Sequence, residues 1–363
     1  MKTYKYVALL TVLTLLASTV LSAGLVACGG AKPSEEKVLN LYAWSEYIPQ
    51  ALLDGFTQET GITVNYDTYS SNEELLAKLQ AGASGYDVIV PSDYTVVILT
   101  KQGLLEEIDL GKIPNFKNIA EELKNPYFDP GNKYSVPYQW GTAALAINTE
   151  KVTQPITKWA DIWSPEFEQQ IVLLDDEREV LGMVLMTLGY DRNSTAPAQL
   201  EEAKQRFMEL MPNIRLFDSD SPKTALLAGE VSLGLVWNGE AAIAHSENPA
   251  IAYVCPQEGC SIWYDNLAIP KGALHVANAH LFIDYVLRPE VSLLITAEFP
   301  YSNPNAAALE LLKTQDPAAY EAYMGYEATN PPLDWQPRMH PVMDVGEATI
   351  LWDRIWTEVK GGE

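Results

Sequence analysis

The chain has 363 residues, of which 47% are hydrophobic and 20% are charged. This composition supports a sizeable core and about two ordinary domains, and it argues against a disordered or simply repetitive chain. The formal charge of −24 disfavours nucleic acid and anionic ligands as partners. Because an acidic surface also serves solubility, the charge favours a cationic ligand only modestly.

The N-terminus has the build of a secretory signal. Two lysines precede an uncharged apolar stretch over 7–26, which leads into the quartet Leu-Val-Ala-Cys ending at Cys28. The quartet resembles a bacterial lipobox, so we predict a signal peptide over 1–27, lipidation of Cys28 and a lipid-anchored linker over 28–37. The alternative is a plain membrane-spanning anchor, since a span needs about 20 apolar residues. Either arrangement places the remaining chain on the outer face of a membrane.

The chain that follows alternates between strand-like and helix-like patterns. The expected elements are a strand over 38–43, a helix over 49–60, a strand over 62–67, a helix over 72–81 and a strand over 86–90. This alternation predicts right-handed βαβ units on a mostly parallel sheet. Ligands of such sheets bind beyond the carboxyl ends of the strands. The segments 44–47 and 92–94 are therefore placed at a candidate site.

A second α/β pattern begins near Gly141 and ends around Asp265. Its expected elements are a strand over 143–148, an apolar run over 171–174, a helix over about 176–188 and a strand over 233–237. Residues 267–270 and a helix over 273–287 then indicate a return to the first domain, and a final helix near 346–360 crosses back. We therefore predict one lobe from 38–140 plus 266–332, and a second lobe from 141–265 plus 333–363.

Two cysteines remain after the N-terminal segment. Cys255 and Cys260 lie between strand-like runs over 251–254 and 261–263, where they can close a small hairpin disulfide or stand as free thiols. No other cysteine or histidine lies close enough in sequence to suggest a zinc site. We expect no metal and no cofactor.

Aromatic residues recur beside carboxylates at the predicted strand ends. The groups are Trp44/Glu46/Tyr47, Tyr94, Asp176/Glu179, Trp237/Glu240, Trp263/Asp265 and Trp335/Gln336. An alkyl polyamine needs this combination, because its ammonium groups require carboxylates or π faces while its methylenes lie on flat apolar rings. We therefore predict a polyamine site.

Each of these residues also has a purely structural interpretation. Trp44, Trp237 or Trp263 taken alone fits an ordinary core position. The spacing of Asp176 and Glu179 is that of a helix capping box, although it can also present two carboxylates on one helical face. Glu240 can be a favourable charge in the first turn of a helix rather than a cleft residue.

Seven segments together resemble the spermidine/putrescine-binding proteins of bacterial polyamine ABC importers. In order, they are LYAWSEYIP (41–49), YDVIVPSDY (86–94), YSVPYQWG (134–141), DDEREV (175–180), VWNG (236–239), IWYDNLAIP (262–270) and WQ (335–336). Single motifs of this kind are weak, but seven in register are a strong signal. The resemblance implies a two-lobed periplasmic-binding-protein fold, type II-like, with the ligand in the cleft between two α/β lobes joined by crossing strands.

The resemblance also assigns roles to individual residues. The implied aromatic box is Trp44, Tyr47, Trp237, Trp263 and Tyr301, the implied acids are Glu46, Asp176, Glu179 and Asp265, and the further polar contacts are Ser92, Tyr94 and Gln336. Ser45 is a further candidate because its segment follows the first predicted strand. Tyr301 is the weakest match. Glu240 stands where spermidine-preferring relatives have a small polar residue and putrescine-preferring ones have an acid, so the preferred amine is left open.

The expected function is therefore that of an extracytoplasmic, periplasmic receptor. It would be a monomer, lipid-anchored to the membrane, that binds a polyamine and delivers it to ABC permease subunits. Two alternatives remain. The same fold binds ferric iron, thiamine or small anions in related receptors, although this chain has no adjacent tyrosine pair. A secreted hydrolase using a carboxylate pair is the other alternative, but none of the common catalytic motifs is present.

Overall fold

The computed structural model describes residues 36–82 and 85–362, so Cys28 and the predicted signal peptide lie outside the described residues. The strands are β1 Val38–Trp44, β2 Thr63–Tyr69, β3 Val88–Ile89, β4 Ser135–Asn148, β5 Ile171–Leu173, β6 Ile214–Phe217, β7 Leu233–Trp237, β8 Ile251–Val254, β9 Cys260–Ala268 and β10 Met339–Pro341. The α-helices are α1 Gln50–Thr60, α2 Asn72–Gln80, α3 Asp93–Lys101, α4 Glu177–Thr187, α5 Pro197–Leu210, α6 Lys223–Ala228, α7 Asn238–Glu247, α8 Val276–Val286, α9 Pro289–Glu298, α10 Ala306–Gln315, α11 Pro317–Met324 and α12 Thr349–Gly361.

Within the described residues, the ten strands form one sheet. Its main path runs in the order β2-β1-β3-β9-β4-β7-β5-β6, with β8 paired to β4 and β10 to β9. The outer pairs β1–β2, β1–β3, β5–β6 and β5–β7 are parallel, as the βαβ pattern predicts. The central pairs β3–β9, β4–β9 and β4–β7 are antiparallel. The two longest of these strands, β4 and β9, thus join two parallel halves.

The inner strands β1, β4 and β7 are packed on both faces, which explains their mainly apolar sequences. Alternate residues of β1 enter different cores: Leu39 and Leu41 pack with helix α8 residues such as Phe282, while Tyr42 packs on the opposite face. Strand β4 repeats this division between two further cores in the second half. Helix α12 packs there through Trp352. The packing places α8 and α12 in the halves expected for them, while the lobe boundaries stay a prediction.

Most predicted elements are present, with two differences that concern the site. Strand β4 begins at Ser135, earlier than the expected 143, because residues 135–143 pair with β9. Strand β3 covers only 88–89 of the expected 86–90. Pro91 and Ser92 then lead into α3, so the chain turns at once toward the sheet edge where β1 also ends.

The Cys255–Cys260 pair is joined by a disulfide across the turn between β8 and β9. Both cysteines are buried in the second half of the sheet. Of the helices in the described residues, none combines the length and apolar character needed to cross a membrane.

Candidate functional site

A cleft lies where the carboxyl ends of β1 and β7 meet the first turns of α3 and α4. Its atoms enclose about 670 Å³ including the open mouth. Eleven of the fourteen residues predicted to bind ligand line it: Trp44, Ser45, Tyr47, Ser92, Tyr94, Asp176, Glu179, Trp237, Trp263, Asp265 and Tyr301. The sequence segments that contribute them are far apart along the chain, and the sheet topology brings them together.

Asp265 on β9 is a buried carboxylate held by two hydroxyl groups. The Tyr47 hydroxyl donates to Oδ2 at 2.7 Å and the Ser92 hydroxyl donates to Oδ1 at 2.6 Å. Burial raises the pKa of Asp265 to about 7, although both hydrogen bonds lower it. Within the described residues, Asp265 has no salt bridge to a lysine, arginine or histidine. Its charge therefore has no cationic partner in the part of the chain that the structure describes.

Aromatic rings form the wall beside Asp265. The ring of Trp263 meets Trp237 edge to face with 6.1 Å between centroids, and meets Tyr301 at 5.5 Å. Tyr47 contacts Tyr301 at 5.4 Å. Gly141 makes room for this wall, since a Cβ there would lie 2.7 Å from Trp263 Cζ2 and 2.0 Å from an Asn238 oxygen. Trp263, Tyr47 and Tyr301 also belong to the core that contains Leu39 and Leu41 of β1. These rings therefore serve both the core and the cleft wall.

Trp44 and Trp237 are fixed by hydrogen bonds from their indole nitrogens. Trp44 Nε1 donates to the Val90 carbonyl at 3.0 Å, and Trp237 Nε1 donates to the Ser219 carbonyl at 3.1 Å. In contrast, Trp263 Nε1 is buried without a hydrogen-bond partner among the described residues. Fixed rings of this kind offer flat apolar faces without further loss of side-chain entropy.

Asp176 caps helix α4, as its spacing predicts. Its Oδ1 accepts from the backbone N–H groups of Arg178 and Glu179 at 2.9 and 3.0 Å. Burial in the cleft raises the pKa of Asp176, and the nearby Glu73 and Glu179 raise it further. Capping and a cleft position are therefore compatible, because one oxygen serves the helix while the side chain still lines the cavity.

Glu179 is neutralised by a residue that the sequence did not suggest. Arg192 Nη2 donates to Glu179 Oε2 at 2.9 Å, and both side chains are buried. The neighbouring Arg178 lies over the rings of Tyr94 and Trp352 and donates to the Met343 carbonyl. Glu179 thus belongs to a buried ion pair at the cleft wall.

Glu46 and Glu240 do not line the cleft, in contrast to the prediction. Both accept from the ammonium group of Lys223, at 2.8 Å for Glu46 and 3.0 Å for each oxygen of Glu240. Glu240 is in the first turn of α7, but it is buried and so is not a surface charge. Burial raises the pKa of Glu240 to about 7, against the opposing effect of Lys223. No local pattern predicts that Lys223 lies between these two acids.

Gln336 also lies away from the cleft. It lines a separate cavity with Trp140 and Tyr264. Its neighbour Trp335 packs beside Tyr253 in the core that contains Ala144 and Ala146 of β4. Both residues lie in a short 3-10 helix over Leu333–Arg338. The two-residue motif Trp-Gln does not indicate where this helix packs.

The cleft also contains residues that were not predicted as ligand contacts, among them Asp93 and Asn72. Asp93 begins α3 between the predicted Ser92 and Tyr94, and its carboxylate accepts from the Tyr127 hydroxyl at 2.9 Å. Burial raises the pKa of Asp93 to about 7. Asn72 donates to the Ser92 hydroxyl at 3.0 Å and orients it toward Asp265. The position of Asp93 in the segment 92–94, already placed at the candidate site, is the signal that could have identified it.

Chemically, the cleft suits an elongated cation. It presents buried carboxylates, rings with flat faces and hydroxyl groups, while the guanidinium groups at its wall are already engaged with protein atoms. Among the described residues, no cluster of His, Cys, Asp or Glu is arranged to hold a metal ion.

Comparison with known proteins decides the family. The model for bacterial extracellular solute-binding proteins matches residues 51–325. The chain belongs to this family. The spermidine/putrescine-binding periplasmic protein of Salmonella typhimurium is 40% identical over 346 residues, covering 94% of this chain and 97% of the relative.

Solved structures of family members share the fold. A structure from Listeria monocytogenes has a TM-score of 0.85 and 33% identity, covering 90% of this chain and 100% of that one. The TpPotD lipoprotein of Treponema pallidum has a TM-score of 0.76 and 31% identity, covering 89% and 99%. The two-lobed fold of periplasmic binding proteins is thereby confirmed.

Proposed function

We propose that this solute-binding protein binds polyamines in the cleft and delivers them to an ABC permease. The observation that carries the proposal is Asp265, a buried carboxylate that has no salt bridge among the described residues and lines the cleft together with the rings of Trp263, Tyr47 and Tyr301. A ligand ammonium would supply the missing charge, and a buried carboxylate gains most from such a partner. The names of the relatives point to the same ligand class.

Calorimetry of the purified mature protein tests this proposal. Putrescine, spermidine and spermine are titrated at pH 8, with 1,4-butanediol as an uncharged control of putrescine length. We expect saturable heat for at least one amine and none for the diol. A rise in thermal unfolding temperature should accompany binding by mass action. Absence of binding to all three amines would reject the proposal.

We propose that the role is binding without catalysis. Amines incubated with catalytic amounts of protein should be recovered unchanged by chromatography. Appearance of any amine-derived product that depends on Asp265 would contradict this part of the proposal.

We propose that Cys28 carries a lipid anchor and that the mature protein acts as a monomer outside the cytoplasmic membrane. Labelled fatty acid should attach to the wild-type chain, whereas the Cys28→Ala variant should remain unlabelled and keep its signal peptide. Sedimentation of the mature protein measures its oligomeric state. Labelling of the variant at the wild-type level would rule out the lipobox.

Polyamine affinity should fall about tenfold from pH 8 to pH 6. The pKa of Asp265 is about 7 without ligand because of burial, so the carboxyl group is mainly ionised at pH 8 and mainly protonated at pH 6. Ligand ammonium groups stay charged over this range and favour the ionised carboxylate. Binding therefore releases a proton, and each pH unit below the pKa weakens it about tenfold. Calorimetry in buffers of different ionisation enthalpy measures this release; equal affinity at both pH values would contradict the linkage.

A further inference from the structure

We infer that Lys223 fills an ammonium site built from Glu46 and Glu240, and so biases the cleft toward shorter polyamines. The inference rests on the proposed function for its ligand class. It concerns a residue of this chain that acts as an internal substitute for one charge of the ligand.

The geometry around the Lys223 ammonium group is that of a bound primary amine. Its Nζ donates to Glu46 Oε2 at 2.8 Å, to both Glu240 oxygens at 3.0 Å and to the Ser221 hydroxyl at 2.9 Å. Two carboxylates and a hydroxyl therefore surround one ammonium group. This set of acceptors satisfies the three N–H donors that a lysine or an alkylamine carries.

The ion pair is largely withdrawn from solvent. The side chain of Lys223 is 14% exposed and that of Glu240 is 3% exposed, whereas Glu46 is 51% exposed at the outer side. Burial alone would lower the pKa of Lys223, but the two glutamates together raise it. The lysine is therefore charged at neutral pH, and its removal would leave Glu240 buried without its cation.

The site adjoins the cleft. A Cβ at Gly239, the residue before Glu240, would lie 2.6 Å from the ring of Tyr301, so that ring packs directly on this backbone. Tyr301 in turn contacts Trp263 in the cleft wall. The chain just before Lys223 also reaches the cleft, since Ser219 and Asp220 line it.

The ion pair also connects the two halves of the sheet. Glu46 follows β1, whereas Lys223 and Glu240 begin α6 and α7 beside β7. The ion pair thus places a charge from the protein itself next to the cleft. A diamine can still use the carboxylates along the remaining cleft, but the third ammonium of a triamine would have to displace Lys223 from both glutamates.

Replacing Lys223 should therefore open the site to a longer amine. In Lys223→Ala, we expect the affinity for spermidine to increase at least tenfold relative to that for putrescine, measured by calorimetry of both amines with wild type and variant. Lys151→Ala is the matched control, because Lys151 is exposed and donates to the Gly229 carbonyl outside the cleft. The control should keep the wild-type affinity ratio.

A second measurement does not depend on polyamine binding. The atoms removed in Lys223→Ala correspond to n-propylammonium, so this ion should raise the thermal unfolding temperature of the variant more than that of wild type or Lys151→Ala. n-Propanol serves as the uncharged control and should not reproduce the effect.

The outcomes separate the two hypotheses. Wild-type protein that binds no polyamine overturns the proposed function and the specificity inferred from it. Polyamine binding with an unchanged affinity ratio in Lys223→Ala, together with no preferential effect of n-propylammonium, overturns only the role of Lys223.

Discussion

Replacing Asp265 with asparagine should weaken polyamine binding about 100-fold, or about 2.7 kcal/mol. Asparagine has nearly the size of aspartate. Its amide group can still form hydrogen bonds with the Tyr47 and Ser92 hydroxyls that hold the carboxylate. The substitution removes the negative charge, which leaves a ligand ammonium desolvated without its partner. Truncation of one member of a buried charge pair costs about 2–5 kcal/mol in binding.

Calorimetry at pH 8 measures this loss, with Asp54→Asn as the control. Asp54 is an exposed carboxylate on α1 that accepts from Gln50, so its replacement should leave the affinity unchanged. The ligand-free Asp265→Asn protein should be at least as stable as wild type at pH 8, because the raised pKa of Asp265 shows that the ionised form is disfavoured by burial.

The combination of normal stability and weak binding is diagnostic. A loss of binding caused by misfolding would lower the unfolding temperature as well. Wild-type affinity in a folded Asp265→Asn protein would show that Asp265 does not contact the ligand, and the cleft assignment would have to be abandoned.

Replacing Arg192 with methionine should lower the free energy of unfolding by about 3–5 kcal/mol. Arg192 donates to Glu179 at 2.9 Å, and both side chains are buried. Methionine fills much of the volume but leaves the Glu179 carboxylate without its cation. Breaking a buried ion pair by removing one partner is costly because the remaining charge stays desolvated.

Urea unfolding at pH 8 measures the loss, with Arg354→Met as the control. Arg354 is an exposed residue on α12 whose contact to Glu358 spans 3.6 Å, so its replacement should change stability by less than about 1 kcal/mol.

The double variant Arg192→Met/Glu179→Gln isolates the charge effect. It removes the uncompensated carboxylate and should recover part of the lost stability. If Arg192→Met loses less than about 1 kcal/mol, or if the double variant is less stable than Arg192→Met, the buried pair does not have the energetic role assigned to it.

The sequence by itself determined the elements and most of the cleft. Alternating strand and helix patterns predicted the parallel halves, because side-chain periodicity and turn residues act locally. Residues such as Trp44 and Ser92 were found because ligand-facing positions lie at strand ends, whereas Asp265 lies within β9 and was found through its neighbour Trp263 and the family resemblance. Asp176 was found as a cap because the N-cap position depends on only a few neighbouring residues.

Only the tertiary structure decided which charges meet. Lys223 bonds to Glu46, which is distant in sequence, and Arg192 bonds to Glu179 across the turn after α4. Neither contact follows a helical or strand period, so no local pattern identifies the partner. Gln336 left the predicted site for a similar reason, because the path of the 3-10 helix that carries it is set by packing against the second half. Local propensity therefore fixed which residues stand at the ends of elements, while the balance of buried charge depended on long-range packing, since burial is what makes pairing necessary.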